Sequence, residues 1–474
     1  MWAYGERILA KIISLIVSVI LARLIDPEHF GSIAIVTVFI NILDALVSGG
    51  FGSALVQKKD ADDLDFNTIC WFSIGVAIVL YIALFFSASA IAAFYKIPQL
   101  FWVIRVMGVR VVISSFNSVQ HAYVQRNMEF KRFFFATLGG TLISGVVGIV
   151  MAYSGFGIWA LVGQYMTNSC IDTIVLRFTI KWKPRLEYSF ERLKSMMGFG
   201  LRMLGATLVN TFQDNIRTLV VGKVFTAEDL AYYDQGKKYP ATLMNNLVGS
   251  VQKVLFPAFA EKQQDKAQIK EQMRKAIRIS SFVLVPVIMG LIAIADTLII
   301  VLLTDKWIAA IPFLRIISLI YLTRTMNSVF QSSLLAIGKS GANMLHEAVG
   351  SGLSIVLICI GAFVLKSVVF IAWSSVIVMV VGTSIFAFFV KKNYDYKYYE
   401  IARDFLPYFT VSLIMAIGVY MLGRLPINRV ALLFIQLFAG FVFYIVFSKA
   451  LSIKELTFCI HKIIQLKDNY LRKQ

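Results

Sequence analysis

Apolar stretches of 18 or more residues recur from one end of this 474-residue chain to the other. Each is long enough to cross the ~30 Å hydrocarbon core of a bilayer as a helix. That repetition decides the fold class, because a backbone in lipid must satisfy its own amides and carbonyls. Composition agrees: 58% of the residues are apolar and 15% charged, against the roughly 25% with which a soluble domain covers its surface. The chain reads as an all-α integral membrane protein.

We place about fourteen transmembrane helices, the first beginning almost at Met1 and the last ending near residue 449. The first stretch runs past Leu21 without a small-residue cleavage site, so it reads as a retained span. A formal charge of +19 would direct a soluble chain to nucleic acid. Here the bases collect in alternate connections: Arg126 to Arg132, Lys181 to Lys194, Lys262 to Arg278, Lys391 to Arg403, and the tail from Lys449. The intervening connections, such as Asp26–Gly31, Ser154–Phe156 and Lys366–Ser367, are short and nearly neutral. This is the positive-inside pattern, which puts the basic loops and both termini in the cytoplasm. It accounts for the charge without nucleic acid. The segment Ala258–Arg278 reads as an amphipathic helix on the membrane surface, and so does the basic tail. Cys70, Cys170, Cys359 and Cys459 are far apart and the histidines scattered, so neither a metal site nor a cofactor is expected.

The chain also aligns with itself. Ala22 to Gly31 matches Gly222 to Ala231 in residue class at an offset of 200, and both read as a helix end, a cap and a new helix. Asp26-Pro27 supplies an N-cap with proline at the first helical position, and Thr226 with Asp229 a capping box. At an offset of 210, Arg105 meets Arg315 and Asn117-Ser118-Val119 meets Asn327-Ser328-Val329. Six spans separate the copies, so two lobes of equal orientation follow, a transporter architecture. The division is an N-lobe of spans 1–6 (residues 1–180), a cytoplasmic linker (181–197) and a C-lobe of spans 7–12 (198–390). Spans 13 and 14 (391–450) stand outside the repeat, followed by a basic cytoplasmic tail (451–474).

Charged groups inside spans cost roughly 2.5–3.5 kcal/mol each at a helix centre, so they mark wet cavities or partners. In span 1, Arg7, Lys11, Ser14 and Ser18 form one helical stripe. Shifted by 200, the stripe reads Thr207, Thr211, Asp214 and Thr218, flanked by Asn210 and Arg217. Thr37, Asn41, Asp44 and Ser48 form another in span 2. A cavity with more cations than anions suits an anionic head group, since guanidinium forks match phosphate oxygens. The expected cargo contacts are Arg7, Lys11, Arg105, Arg217 and Arg315, with Asp44, Asp214 and Asn210 coupling or structural. No catalytic constellation is expected.

Leu21 to Gly31, reading LARLIDPEHFG, resembles the "LAR-L-x-P-E-x-F-G" signature of the polysaccharide-transporter branch of the multidrug/oligosaccharidyl-lipid/polysaccharide exporter superfamily. Further matches follow in order: Gln125 to Phe130, Gly155 to Leu161, Asn210 to Gly222, Tyr232-Tyr233 and Phe256-Pro257. The resemblance implies a flippase of the bacterial inner membrane. It would move undecaprenyl-pyrophosphate-linked repeat units by alternating access, for O-antigen, capsule or exopolysaccharide. Membrane lipids, a polysaccharide polymerase and other assembly proteins are the implied partners. The competing reading is a cation-coupled multidrug exporter of the same superfamily. The surplus of intramembrane Arg and Lys weighs against it.

Overall fold

The apolar stretches form sixteen α-helices among the residues that the structure, a computed structural model, describes: 2–262 and 265–457, without the side chains of 2–9, 130 and 245–254. In chain order they are α1 (Trp2–Leu24), α2 (Pro27–Ser48), α3 (Phe51–Gln57), α4 (Asp63–Tyr95), α5 (Leu100–Arg126), α6 (Phe130–Tyr153), α7 (Ile158–Thr179) and α8 (Phe190–Val224). Then follow α9 (Ala227–Glu261), α10 (Lys266–Ala293), α11 (Ala295–Leu303), α12 (Ile311–Ala336), α13 (Ser340–Cys359), α14 (Val368–Tyr394), α15 (Tyr398–Leu422) and α16 (Arg429–Ala450). Ten helical segments among the described residues are long and apolar enough to cross a membrane, falling on expected spans 2–5 and 9–14. The helices α1, α7, α8 and α9 are not among the ten. The last three carry much of the polar sequence, including Asp172, Asn210, Asp214 and Arg217.

Local chemistry sets the corners. Asp26 is extended at the N-cap of α2, and Pro27 supplies the first helical position. At the start of α9, Thr226 Oγ1 donates to Asp229 Oδ2 (2.8 Å) and accepts from the Asp229 amide (3.1 Å), the expected capping box. These two corners meet. A Cβ on Gly31 would stand 1.7 Å from the Ala227 carbonyl oxygen, so only glycine lets α2 pass this close to the start of α9.

The chain packs as two compact units, Met1–Ala231 and Tyr232–Gln474. In the first, α2 packs against α5, α7 and α8, α3 against α5 and α8, and α6 against α1 and α7. A buried cluster including Phe51, Phe66, Val119, Trp182 and Met196 closes one end. In the second, α10 packs against α12 and α15, α14 against α12 and α13, and α16 against α11 and α15. Helix α8, the first span of the second sequence repeat, packs with the first unit. A repeat is defined by sequence and a unit by contact, so the two boundaries need not coincide.

Each unit ties the chain leaving its last repeat helix to the start of its third. In the first unit the fully buried Asp65 receives Lys58 Nζ (2.6 Å) and Arg192 Nη1 (3.5 Å). Asn67 accepts from Trp182 Nε1 (3.2 Å) and from the Arg185 amide (3.1 Å), fixing the segment after α7 on α4. The Asp65 backbone amide donates to the neighbouring Asp62, holding that carboxyl below its usual range, with Arg192 adding to the effect. In the second unit the polarity is reversed. Arg274 Nε (2.6 Å) and Arg278 Nε (2.6 Å) of α10 donate to the buried Asp404 of α15, and Lys270 Nζ donates to Glu400 (2.8 Å). Tyr396 Oη also donates to Asp404 (2.8 Å), and burial beside that carboxylate pushes its phenol up.

This clamp corrects the expectation of a surface helix over Ala258–Arg278. Residues 258–261 end α9, and 266–278 are the first turns of α10. Phe259, Ile269, Met273 and Ile277 are buried in the second unit's core, while the basic face meets α15. The amphipathic pattern is real, but its apolar side faces protein and its charges are paired. The tail expected at 451–474 lies outside the described residues from 458 onward.

Asp404→Asn tests the clamp. Removing one partner of a buried ion pair costs about 3–5 kcal/mol. Arg274 and Arg278 keep 29% and 37% of their surface in water, which places this change at the lower end of that range. The melting temperature in detergent should fall accordingly, and Asp404→Glu should recover part of the loss.

Candidate functional site

Span 2 is not one helix. It breaks between Ser48 and Phe51, at Gly49-Gly50, and resumes as α3. A Cβ on Gly50 would lie 2.0 Å from the Gly200 carbonyl oxygen of α8, so the break sits directly on the neighbouring backbone. The Thr207 hydroxyl of α8 reaches the freed Gly49 carbonyl at 3.0 Å. Broken helices inside membranes are tolerated where neighbours re-satisfy the backbone in this way. At the other end of α3, Arg126 caps the helix: Nη1 donates to the carbonyls of Leu55 (3.0 Å) and Lys58, and Nη2 donates to that of Lys59. The Gln125 to Phe130 motif therefore contains a built C-cap.

Beside this break, α2, α3 and α5 line an open polar chamber of about 280 Å³. Its walls include Ser48, Ser53, Asn117, Ser118, His121 and Gln125, and among the described residues no lysine or arginine lines it. Helical spacing explains the wall: Ser114, Asn117, Ser118, His121 and Gln125 fall at i, i+3, i+4, i+7 and i+11 along α5. Behind it stands Asp172 of α7. Asn117 Nδ2 donates to Asp172 Oδ2 at 2.5 Å, and His121 Nε2 lies 3.1 Å from the same oxygen. With Nε2 on that carboxylate, Nδ1 is the ring nitrogen left for another partner.

One helical turn deeper, about 5 Å along the axes, Asp44 of α2 faces Arg110 of α5. Arg110 Nη2 is 4.0 Å from Asp44 Oδ2, a charge contact rather than a hydrogen bond. Asp44 Oδ1 and Arg110 Nε are both buried, and neither has a hydrogen-bond partner among the described residues. The guanidinium lies 5.9 Å from the Tyr165 ring centre. Opposite charges on packed helices hold each other loosely here and keep bonding capacity in reserve.

The residues expected from sequence are spread more widely. Asp44 lies beneath the chamber. Arg105 sits between the rings of Phe85 (4.1 Å) and Phe101 (3.9 Å) and its Nε donates to the Phe85 carbonyl at 3.3 Å. Arg315 occupies the matching place in the second unit, with Nε 3.5 Å from the Ile292 carbonyl and Nη2 2.6 Å from Asp296. On α8, Asn210 and Asp214 are exposed and Arg217 half-buried. Lys11 is exposed on α1, and the Arg7 side chain lies outside the described residues. The structure does not bring Arg105 or Arg315 to the chamber. Sequence reasoning passed over Asn117 as a site residue, dismissed His121 as scattered, and missed Asp172. The rule that singled out Asp44, an acid inside a span, would have found Asp172 as well.

Comparison with known proteins gives this geometry a context. The model of a family described as polysaccharide biosynthesis protein matches residues 20–312. The succinoglycan biosynthesis transport protein ExoT of Rhizobium meliloti is 24% identical over 68% of this chain and 65% of its own length. The teichuronic acid biosynthesis protein TuaB of Bacillus subtilis is 24% identical over 78% of this chain and 77% of its own. The lipopolysaccharide biosynthesis protein WzxC of Escherichia coli is 23% identical over 90% and 88%. Among solved structures, the lipid II flippase MurJ in an inward closed conformation superposes with a TM-score of 0.77. It is 16% identical, with 95% of this chain and 98% of that one covered. An inward-facing multidrug resistance transporter of the MATE family and MOP superfamily superposes at 0.62, with 14% identity over 81% and 95%. At these identities the likeness is one of fold.

Two substitutions test the architecture of the site. Gly50→Ala forces α3 and α8 apart and should cost about 1–3 kcal/mol, the range for overpacking, read as a lowered melting temperature. Arg126→Lys keeps the charge but loses the fork that spans three carbonyls. It should destabilise nearly as much as Arg126→Gln, by about 1–3 kcal/mol.

Proposed function

The chain belongs to the polysaccharide biosynthesis protein family, and we propose that it is a flippase for lipid-linked oligosaccharide repeat units in surface polysaccharide assembly. The observation that carries this reading is a polar chamber with an ion pair beneath it, built into helices otherwise apolar enough to cross a membrane. A membrane protein keeps such groups where a polar cargo must pass. The names of ExoT, TuaB and WzxC each speak of making a surface or secreted glycan, and MurJ moves a lipid-linked one. No chemical step is proposed for the chain itself.

In this reading the chain crosses the bacterial inner membrane fourteen times, the four more polar helices included, with both termini cytoplasmic. The two repeats form lobes of six spans that alternate access to a shared path, and spans 13 and 14 are accessory. The cargo is an undecaprenyl-pyrophosphate carrying its glycan. Its phosphates meet cations of the path: Lys11 and Arg217 from the expected set, Arg7 by its place on the same stripe, and Arg110. Arg105 and Arg315 engage aromatic rings, carbonyls or Asp296, which supports a structural role in holding helix pairs. Asp44 holds Arg110 in place, while Asn210 and Asp214 contribute polar groups from α8. Membrane lipids surround the bundle, and a polymerase with other assembly proteins would receive the product.

A deletion strain should lose surface polysaccharide and accumulate the lipid-linked repeat unit on the cytoplasmic membrane face. Normal polymer with heightened sensitivity to cationic dyes would instead favour the multidrug-exporter reading. Complementation separates the roles of the ion pair. Arg110→Ala should cut export about tenfold or more, the worth of roughly 1.4 kcal/mol. Arg110→Ala combined with Asp44→Asn should remain defective if Arg110 meets the cargo. Recovery in the double variant would reduce Arg110 to a counter-ion.

A further inference from the structure

The chamber and the ion pair below it are chemically different. We propose that the chamber is a glycan subsite, which receives a sugar ring of the cargo through its hydroxyls while the cations take the phosphates. This rests on the flippase reading and adds what selects the glycan.

The argument is one of donors and acceptors. Asn117 spends its amide nitrogen on Asp172, and its Oδ1, buried, has no hydrogen-bond partner among the described residues. His121 Nε2 lies against the same carboxylate, which leaves Nδ1 as the ring nitrogen open to a ligand. Ser53 and Ser118 each offer a hydroxyl and Gln125 an amide, while Ser48, which donates to the Asp44 carbonyl at 2.6 Å, offers an acceptor. A phosphate would meet hydroxyls here but, among the described residues, no lysine or arginine to match its charge. A sugar hydroxyl can donate to Oδ1 and pair with Nδ1, and sugar oxygens can accept from Ser53 and Ser118. A chamber of about 280 Å³ is at the small end for ligand sites, which fits a single ring rather than a chain. Asp172 acts as a positioning residue: it touches no sugar but fixes the Asn117 amide and the imidazole ring.

The matching positions of the second repeat are engaged differently. At the offset of 210, Asn117, Ser118 and His121 become Asn327, Ser328 and Gln331. Asn327 Nδ2 lies 3.1 Å from the Met379 sulfur, Ser328 is buried, and Gln331 Nε2 donates to Asn343 at 2.5 Å. Val329 and Phe330 beside them belong to the second unit's buried core. One copy has turned these positions inward, and the other presents them to a chamber.

The test compares two lipids on the full-length protein in nanodiscs: undecaprenyl pyrophosphate without sugar, and the host's own lipid-linked repeat unit. Asn117→Ala, His121→Ala and Asp172→Asn should each weaken binding of the glycan-bearing lipid about tenfold or more while leaving the bare pyrophosphate lipid unchanged. Gln125→Ala, exposed and at the rim, guards against variants that fail to fold and should show the same selectivity with a smaller loss. Equal loss for both lipids, or loss for neither, overturns the subsite and leaves the flippase reading standing. Wild-type protein that binds neither lipid overturns both.

Discussion

A charge inside a bilayer must be matched by something, and this molecule is organised around where its few intramembrane and membrane-edge charges find their match. Asp404 and Asp65 are fully buried and fully engaged, and each holds a departing chain segment to its unit. Asp172 is engaged by an amide and an imidazole, and so orders a polar wall. Asp44 and Arg110 are matched only at 4.0 Å, with polar atoms left over. The gradient from tight to loose pairing runs from structural clamp to candidate path. Stability argues for the first kind of pair, and function needs the second, because a fully satisfied charge has little left to offer a cargo.

The fold class was legible because hydrophobic length alone decides it. The helical corners were legible too, since Asp26-Pro27 and Thr226 with Asp229 act locally. The misread segment, Ala258–Arg278, shows where sequence runs out. An amphipathic helix with a basic face has the same pattern whether it lies on lipid or on protein, and the acids that neutralise Lys270, Arg274 and Arg278 come from 126 to 130 residues away. The site was legible in part. Intramembrane charge pointed to Asp44, whereas Arg105 and Arg315 carry the same signal and sit among rings, carbonyls and an acid. Nothing in a span's own sequence says which face meets a chamber. Asn117, His121 and Asp172 lie on two helices and become a site only when those helices pack.

The internal repeat clarifies which features are architecture and which are specialisation. Arg105 and Arg315 keep sequence position, and each turns its Nε to a carbonyl of the preceding long helix, Phe85 of α4 and Ile292 of α10. The third-helix clamps keep position and purpose but exchange the sign of their charges. The chamber positions keep residue class in part and lose the arrangement altogether.

The clamps have a consequence for exchange between relatives. Both partners of each clamp lie within one unit, and the acid sits on the third helix in one unit but on the departing segment in the other. A chimaera that swaps a whole unit with a glycan-divergent homologue therefore carries its clamp intact. A swap of a single helix, such as α10 without α15, would set like charges or orphaned ones against each other at the membrane edge. The molecule's modules for recombination are its units, and its helices are not interchangeable parts.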